Sequence, residues 1–410
     1  MIKRNCRACG SELHKTFVDL GMSPLSNSYV KIEDLAKMEP FYPLHAFVCD
    51  KCFLVQLEEF QSPSQIFSDY AYFSSYSQSW LEHSKNYVDM MTSRFAFDSN
   101  SFVTEIASND GYLLQYFVEK EIPVLGVEPA ENVAKIAIEK GIRSEVVFWG
   151  EESARKLSNK YPKANLILGN NVLAHVPDIN DFVKGISVFL ADDGIVTIEF
   201  PHLLQLIAQS QFDTIYHEHF SYLALVSVDK IFESHNLKLF DVEKLPTHGG
   251  SLRIFAQKST GTRDETQRLK DLRIEEKEFG LSNLDMYSNF SSKVEAVKFN
   301  LLEFLIKAKK EGKVVAGYGA PAKGNTLLNY CGVGTELLPY TVDMSPHKQN
   351  KYLPGTRIPV YAPQAIYDKK PDYILILPWN LKHEIVNQMG SVKEWGCKFV
   401  IAVPEIEILG

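Results

Sequence analysis

The 410-residue chain has no apolar run approaching the ~20 residues that span a bilayer; its longest runs, such as 373–378, are strand-length. The opening Met1-Ile2-Lys3-Arg4-Asn5-Cys6 lacks the apolar stretch of a secretion signal, so a cytoplasmic chain with no membrane partner is expected. Positive charge does not dominate: 43 Lys and Arg face 51 Asp and Glu, for a net charge of −8. That excludes a chain-wide footprint for nucleic acid and leaves room only for a local basic pocket. Cysteine is scarce, six in all, which excludes a disulfide scaffold. With 45% hydrophobic and 23% charged residues, neither disorder nor a fibrous repeat fits. At roughly 100–200 residues per domain, two or three domains are expected.

What cysteine there is falls into a pattern. Cys6 and Cys9 form one Cys-x2-Cys, and Cys49 and Cys52 form another 39 residues later. In a reducing compartment such pairs suit metal better than disulfides. Two intervening residues let both thiolates turn onto one ion, and Gly10 eases the tight turn. Two such knuckles make a closed, structural zinc site, since no coordination position stays open for a substrate. The alternative is a set of buried or redox cysteines. Cys331 and Cys397 are expected to pack in cores.

From about residue 102 onward, apolar runs alternate with helical periods. Candidate strands are 102–108, 124–129, 146–148, 165–169, 195–201, 237–245 and 251–257; helical patterns include 131–140 and 179–190. This alternation predicts an α/β, doubly wound, mostly parallel sheet. Ligands bind such sheets beyond the carboxyl ends of the strands. After the first strand comes Glu105-Ile106-Ala107-Ser108-Asn109-Asp110-Gly111, whose single glycine suits a dinucleotide pyrophosphate poorly. After the second, Glu128-Pro129 offers a carboxylate for the hydroxyls of a ribose, although one acid alone is as often an ordinary surface residue. The last two strands are too close for an intervening helix, which implies an antiparallel hairpin at one sheet edge. That is a feature of class I methyltransferases rather than of dehydrogenases.

Residues 263–310 read as helical, with a solvated charge run at 273–278. A second alternating unit follows: strand 313–317, helix 323–330, strand 338–343, and later strands at 372–377 and 399–403. The turn Gly317-x-Gly319-x-Pro321-x-Lys323-Gly324 lets backbone amides approach an anion at a helix N-terminus. Asp343 closes the second strand as a ribose-binding acid would. A second dinucleotide site remains open as an alternative.

The two Cys-x2-Cys pairs occur together with Asp69-Tyr70-Ala71-Tyr72-Phe73-Ser74-Ser75, the 105–111, 126–129 and 170–178 segments, and Tyr216-His217-Glu218-His219-Phe220-Ser221-Tyr222. His248-Gly249-Gly250-Ser251-Leu252-Arg253 and the 317–324 turn complete the set. Over nearly its whole length the chain resembles the zinc-containing, S-adenosylmethionine-dependent sugar C-methyltransferases of deoxysugar biosynthesis. The resemblance implies a three-domain monomer: a zinc domain over 1–75, a Rossmann-like methyltransferase domain over 76–260 and a C-terminal Rossmann-like nucleotide-sugar domain over 261–410. It implies a methyl branch added to a nucleotide-linked 4-keto-6-deoxy-sugar. Active-site residues then fall on Tyr70, His175, Tyr216, Glu218 and His219. The methyl donor is expected against Ala107, Asn109, Asp110, Gly111, Glu128, Pro129, Phe148, Asn170 and Asn171. The nucleotide-sugar is expected at Ser251, Arg253, Tyr318, Lys323 and Asp343, with Arg253 and Lys323 facing the diphosphate.

Methylating a sugar carbon needs a base for the weakly acidic hydrogen beside the ketone and a group to hold the enolate oxygen. His219 is expected to be the base, with Glu218 orienting its neighbour and Tyr216 donating to the oxygen. His175 stays open as the alternative base, and His217-x-His219 as a pair of metal ligands. Two other function classes also stay open: a nicotinamide-dependent oxidoreductase on the C-terminal unit, and a non-catalytic metabolite-binding protein.

Overall fold

The computed structural model describes residues 4–61 and 74–409, which form three sheets. The first is antiparallel throughout, in the order β1 (Lys15–Ser23), β2 (Tyr42–Val48), β3 (Val55–Leu57), β9 (Ser221–Tyr222). Its last strand comes from the middle of the chain and directly continues the Tyr216–Phe220 segment.

The second sheet has seven strands. From one edge they are β10 (Leu237–Leu245), β11 (Ser251–Lys258), β8 (Leu190–Pro201), β7 (Ala164–Asn170), β4 (Val103–Ile106), β5 (Val124–Val127) and β6 (Ser144–Glu145). The five from β8 to β6 are parallel. β11 runs antiparallel to both β8 and β10, which is the edge hairpin that the short connection predicts. From β4 the sheet grows to β5 on one side and to β7 on the other. The loops behind β4 and β7 therefore splay apart at a switch point.

The third sheet has the order β14 (Lys351–Tyr352), β15 (Pro359–Tyr361), β13 (Thr341–Val342), β12 (Val315–Tyr318), β16 (Tyr373–Ile376), β17 (Lys398–Ile401), β18 (Glu407–Leu409). Its five inner strands are parallel and its two edges antiparallel. The helix Phe290–Lys310 buries Phe290, Val294, Val297, Leu301 and Leu305. These belong to one core shared by the first sheet, the 203–224 segment and the third sheet. Phe17 of β1 stacks on Phe290 with centroids 4.5 Å apart.

Three expectations need correction. The 146–148 run is not a strand: β6 pairs for only two residues, Ser144 and Glu145, leaving Val146 and Phe148 about half exposed beyond the strand's end. The strand expected over 338–343 shrinks to Thr341–Val342, because Pro339 has no N–H to give to a ladder. The helical stretch 263–310 is three helices, Gln267–Phe279, Leu284–Ser288 and Phe290–Lys310, the first ended by Gly280 at φ +99°.

Candidate active site

Cys6, Cys9, Cys49 and Cys52 bring their four sulfurs within 4.8 Å of one another. Cys6–Cys52 and Cys9–Cys49 are each 3.5 Å apart, close to the roughly 3.7 Å edge of a tetrahedron with 2.3 Å zinc–sulfur bonds. Without an ion, a bond from Cys52 lowers the Cys6 thiol while burial and the neighbouring thiols raise Cys49 and Cys52. Such crowded sulfurs become thiolates together only around a cation, so the residues fit zinc. Gln56, itself buried, donates to Cys6 Sγ at 3.2 Å. Between the first two cysteines Arg7 reaches inward. Its guanidinium donates to the Pro177 carbonyl at 2.6 Å and to the Leu57 carbonyl, and lies 5.3 Å from the Phe220 ring centroid. Sequence reasoning passed over Arg7, since nothing local marks an arginine inside a knuckle as a link to residues 170 positions away.

At the carboxyl end of β4 the chain winds through three left-handed residues, Ala107, Asn109 and Gly111. At Gly111 a Cβ would also strike Ile142 at 2.2 Å, so glycine is required there. Glu128 secures this loop. Its two oxygens accept the amides of Asn109 and Ala130, each at 2.9 Å, and burial raises its carboxyl above the usual range. Asn109 Oδ1 accepts the Ser74 amide, Asp110 accepts the Ser75 hydroxyl, and Lys140 stands 3.5 Å from Asp110. Pro129 follows Glu128, and Phe148 lies exposed beyond β6. Asn170 donates to the Tyr112 hydroxyl at 3.5 Å, and Asn171 to His248 Nε2 at 3.1 Å. The sequence reading did not include Trp80, which lies among the rings of His83, Tyr112 and His248 at 4.8, 6.1 and 5.7 Å. It also left out Glu105 as a single residue, although that side chain is fully buried and desolvation raises it well above the usual range.

The 214–219 segment carries the most defined geometry. His219 Nδ1 is 2.9 Å from the Thr214 carbonyl, an acceptor only, so Nδ1 carries the proton. Nε2 is left with the lone pair, to which the Tyr216 hydroxyl donates at 2.7 Å. The His175 ring meets that of His219 edge-on, 4.6 Å between centroids. Burial, then His175, hold His219 well below the ordinary imidazole value; burial lowers His175 to about 4 against the Glu218 carbonyl it faces. Both imidazoles are thus neutral at physiological pH. Glu218 does not orient His219: its Oε1 accepts from Asn27 of the first domain at 2.7 Å, and Thr214 performs the orienting instead. His217 donates to the Pro43 carbonyl at 3.2 Å, away from the partners of His219. Among the described residues, the four cysteines form the group of three or more ligand atoms close enough to hold one ion. Tyr70 lies outside the described residues.

On the C-terminal side Lys323, at the start of the helix Ala322–Cys331, donates to Asn380 at 2.7 Å. Its ammonium lies 4.6 Å from the Trp379 ring centroid, and burial lowers its pKa. Asp343 accepts the amides of Ala320 at 2.7 Å and Ser345 at 2.8 Å. Tyr318 is buried in the third sheet. The expectation for Arg253 needs correction. Its guanidinium is taken up by Glu199 at 3.1 Å, Glu243 at 3.0 Å and the face of Tyr87, so a phosphate there would have to displace a buried carboxylate. Ser251 likewise spends its hydroxyl on the Thr247 carbonyl at 3.0 Å.

Three family profiles cover most of the chain: "Putative zinc binding domain" over residues 6–67, "Methyltransferase domain" over 80–242 and "C-methyltransferase C-terminal domain" over 246–404. C-methyltransferase NovU of Streptomyces niveus is 34% identical over 404 residues, spanning 98% of this chain and 96% of that protein. The chain belongs to the C-methyltransferase family. Its N-terminal residues match the zinc-binding domain model, whose four cysteines come together as described above. Among solved structures, the PH0226 protein of Pyrococcus horikoshii matches 48% of the chain and 99% of its own length, with a TM-score of 0.38 and 15% identity. An S-adenosylmethionine-dependent methyltransferase of Clostridium acetobutylicum matches 44% and 92%, with 0.35 and 11%. No helix of the C-methyltransferase among the described residues is long and apolar enough to cross a membrane.

Proposed function

We propose that the protein adds a methyl group to the carbon beside the ketone of a nucleotide-linked 4-keto-6-deoxy-sugar, with His219 as the base. The observation that carries this reading is the fixed tautomer of His219, whose protonated Nδ1 is held by Thr214 and whose Nε2 lone pair is in contact with Tyr216. A neutral imidazole in a desolvated site can take a weakly acidic hydrogen. The Tyr216 hydroxyl, released from Nε2 as the base engages, can donate to the developing enolate oxygen. His175, edge-on to His219, narrows the space and keeps a second positive charge unfavourable.

S-adenosylmethionine, when bound, supplies the electrophilic methyl group. The residues behind β4 and β5 fit it: Glu128 uses one lone pair of each oxygen on the backbone and keeps another for ribose hydroxyls, while Asn109 and Asp110 line the left-handed loop. Lys323, desolvated and with no carboxylate at ion-pair distance among the described residues, suits the diphosphate of the acceptor. The decisive experiment incubates the purified protein and S-adenosylmethionine with a panel of nucleotide-linked 4-keto-6-deoxy-sugars. Mass spectrometry should show the gain of one methyl on one member, and carbon NMR a new C–C bond. A methyl on oxygen, or none on any member, overturns the reading.

A further inference from the structure

Trp379 stands where the middle and C-terminal domains meet. Its indole N–H donates to Asp213 Oδ2 at 2.7 Å. Lys323 covers its ring, and Gly249, at the tip of the β10–β11 hairpin, is so close that a Cβ would come within 2.5 Å of the ring. Asp213 is fully buried in the single 3-10 turn Phe212–Thr214. The next residue in that turn, Thr214, gives its carbonyl to His219 Nδ1. Within the turn, the Thr214 and Ile215 amides donate to the Gln211 and Phe212 carbonyls at 3.1 and 2.9 Å, the Thr214 hydroxyl donates to the Gln211 carbonyl at 2.7 Å, and Phe212 is buried in the shared core, so the Asp213 side chain is the turn's hydrogen-bonded link to the C-terminal domain's indole.

We propose that Asp213 and Trp379 are a positioning pair: the indole of the C-terminal domain pins the turn so that the Thr214 carbonyl selects the one tautomer of His219 whose lone pair lies on Nε2. This rests on the reading of His219 as the base. A neutral imidazole has two tautomers of similar energy, and the hydrogen bond made by one nitrogen decides which is present. Here that bond comes from a carbonyl whose direction is set by a three-residue turn. The only charged side chain in the turn is anchored 166 residues away in sequence, on another domain. Packing alone would not call for a buried carboxylate at this point, since an apolar residue of similar size would fill the space without the desolvation cost. Burial lifts the Asp213 carboxyl to about 6, with Lys323, the indole and the Thr214 amide opposing that rise. Because Lys323 lies on the same indole, the residue proposed to face the acceptor's diphosphate and the residue proposed as base share one intervening side chain.

The test uses the full-length protein with nitrogen-15 histidine and compares wild type with W379F, D213N, D213A and H219N. Two-bond proton–nitrogen correlation spectra report the His219 tautomer, and thermal unfolding checks that each variant folds. The acceptor is whichever 4-keto-6-deoxy nucleotide-sugar of the panel gains a methyl. Wild type should show His219 protonated at Nδ1. W379F and D213A should show mixed tautomers, with kcat and the exchange of the acceptor's α-hydrogen with heavy water reduced about ten- to a hundred-fold and both KM values unchanged. D213N keeps an oxygen for the indole and should stay near wild type in tautomer and rate. If D213N falls as far as D213A, the charge facing Lys323 matters and the positioning role is overturned. It is equally overturned if W379F keeps the wild-type tautomer, or if W379F raises only KM. Should D213A fail to fold, W379F and D213N decide the matter. Retained α-hydrogen exchange in H219N would remove His219 as base, while the tautomer spectra of W379F would still report on the indole bond.

Discussion

At the end of its second strand each parallel sheet carries an acid that ties down the loop behind its first strand. In the middle domain Glu128 takes the amides of Asn109 and Ala130; in the C-terminal domain Asp343 takes those of Ala320 and Ser345. The loops so held differ. Behind β4 the backbone coils through three left-handed residues, with Lys140 beside Asp110 at its rim. Behind β12 one left-handed glycine, Gly319 at φ +87°, leads straight into a helix whose second residue is Lys323. Asp343 also has Lys348 at 3.6 Å, and Lys348 and the Tyr29 hydroxyl both donate to the Ala320 carbonyl. Under the proposed function, the same tie would then serve two ligand chemistries. A coiled, acid-rimmed loop suits a cationic sulfonium donor, and an open helix end with lysines suits a phosphate tail.

In the proposed function the chemistry falls on the wall between the two sheets, and the largest effect is expected there. His219→Asn should bind both ligands but lose about 10²–10⁴-fold in turnover, together with α-hydrogen exchange into heavy water. Full exchange in that variant, with exchange abolished in His175→Asn, would move the base to His175. A second break concerns the hairpin assigned to neither ligand. Arg253→Ala leaves Glu199 only His83 and the Thr247 hydroxyl, and Glu243 only the more distant Arg94 and Arg268, and should cost about 1–3 kcal/mol of folding stability, read by urea unfolding, while the acceptor's KM stays unchanged. A stable variant with a raised KM would return Arg253 to the phosphate.

The acids themselves sharpen the comparison. Glu128→Ala should weaken S-adenosylmethionine binding ten-fold or more by calorimetry, since a hydrogen bond to a charged group is worth about 1.5–3 kcal/mol. Asp343→Ala should leave donor affinity alone and raise the acceptor's KM; equal effects of both variants on donor binding would erase the distinction. The smallest effect is one of pH. A base works only when neutral, so its rate falls as pH drops through its pKa. Burial sets His219 well below 6.5, with His175, His248 and Lys323 adding to the shift. The pH profile of kcat/KM should therefore stay level through 6.5 and decline only at lower pH; a decline centred at 6.5 points to an unburied histidine.

Much of this was legible in the residues, for a physical reason. The strands of both parallel sheets announce themselves as short apolar runs because they are buried on both faces, and the cysteine knuckles, the Glu128 turn and the Tyr216–Tyr222 cluster are contiguous in sequence. What escaped reading depends on partners far along the chain. Trp379 and Asp213 are 166 residues apart, Arg7 and Pro177 170, and Glu218 finds Asn27 across 191. Arg253 looked free for phosphate because Glu199 and Glu243 lie on neighbouring strands whose register no local pattern gives. The misplaced 146–148 strand has the opposite cause: an apolar run stays partly exposed beyond a two-residue edge strand.

The β9 strand has a consequence for how the molecule is made. β1, β2 and β3 are all synthesised by residue 57, yet the outer edge of β3 is not paired until Ser221 and Tyr222 arrive. At ribosomal speeds of about 5–20 residues per second, the growing chain carries that open edge for roughly 8–30 seconds. An unpaired edge invites pairing with other chains. Here β3 is three residues long and follows directly on the second cysteine pair, so the nascent protein offers little strand to a wrong neighbour. The residues that finally close the edge directly follow the Tyr216–Phe220 segment, so the N-terminal sheet is completed only when the chain has also produced His219.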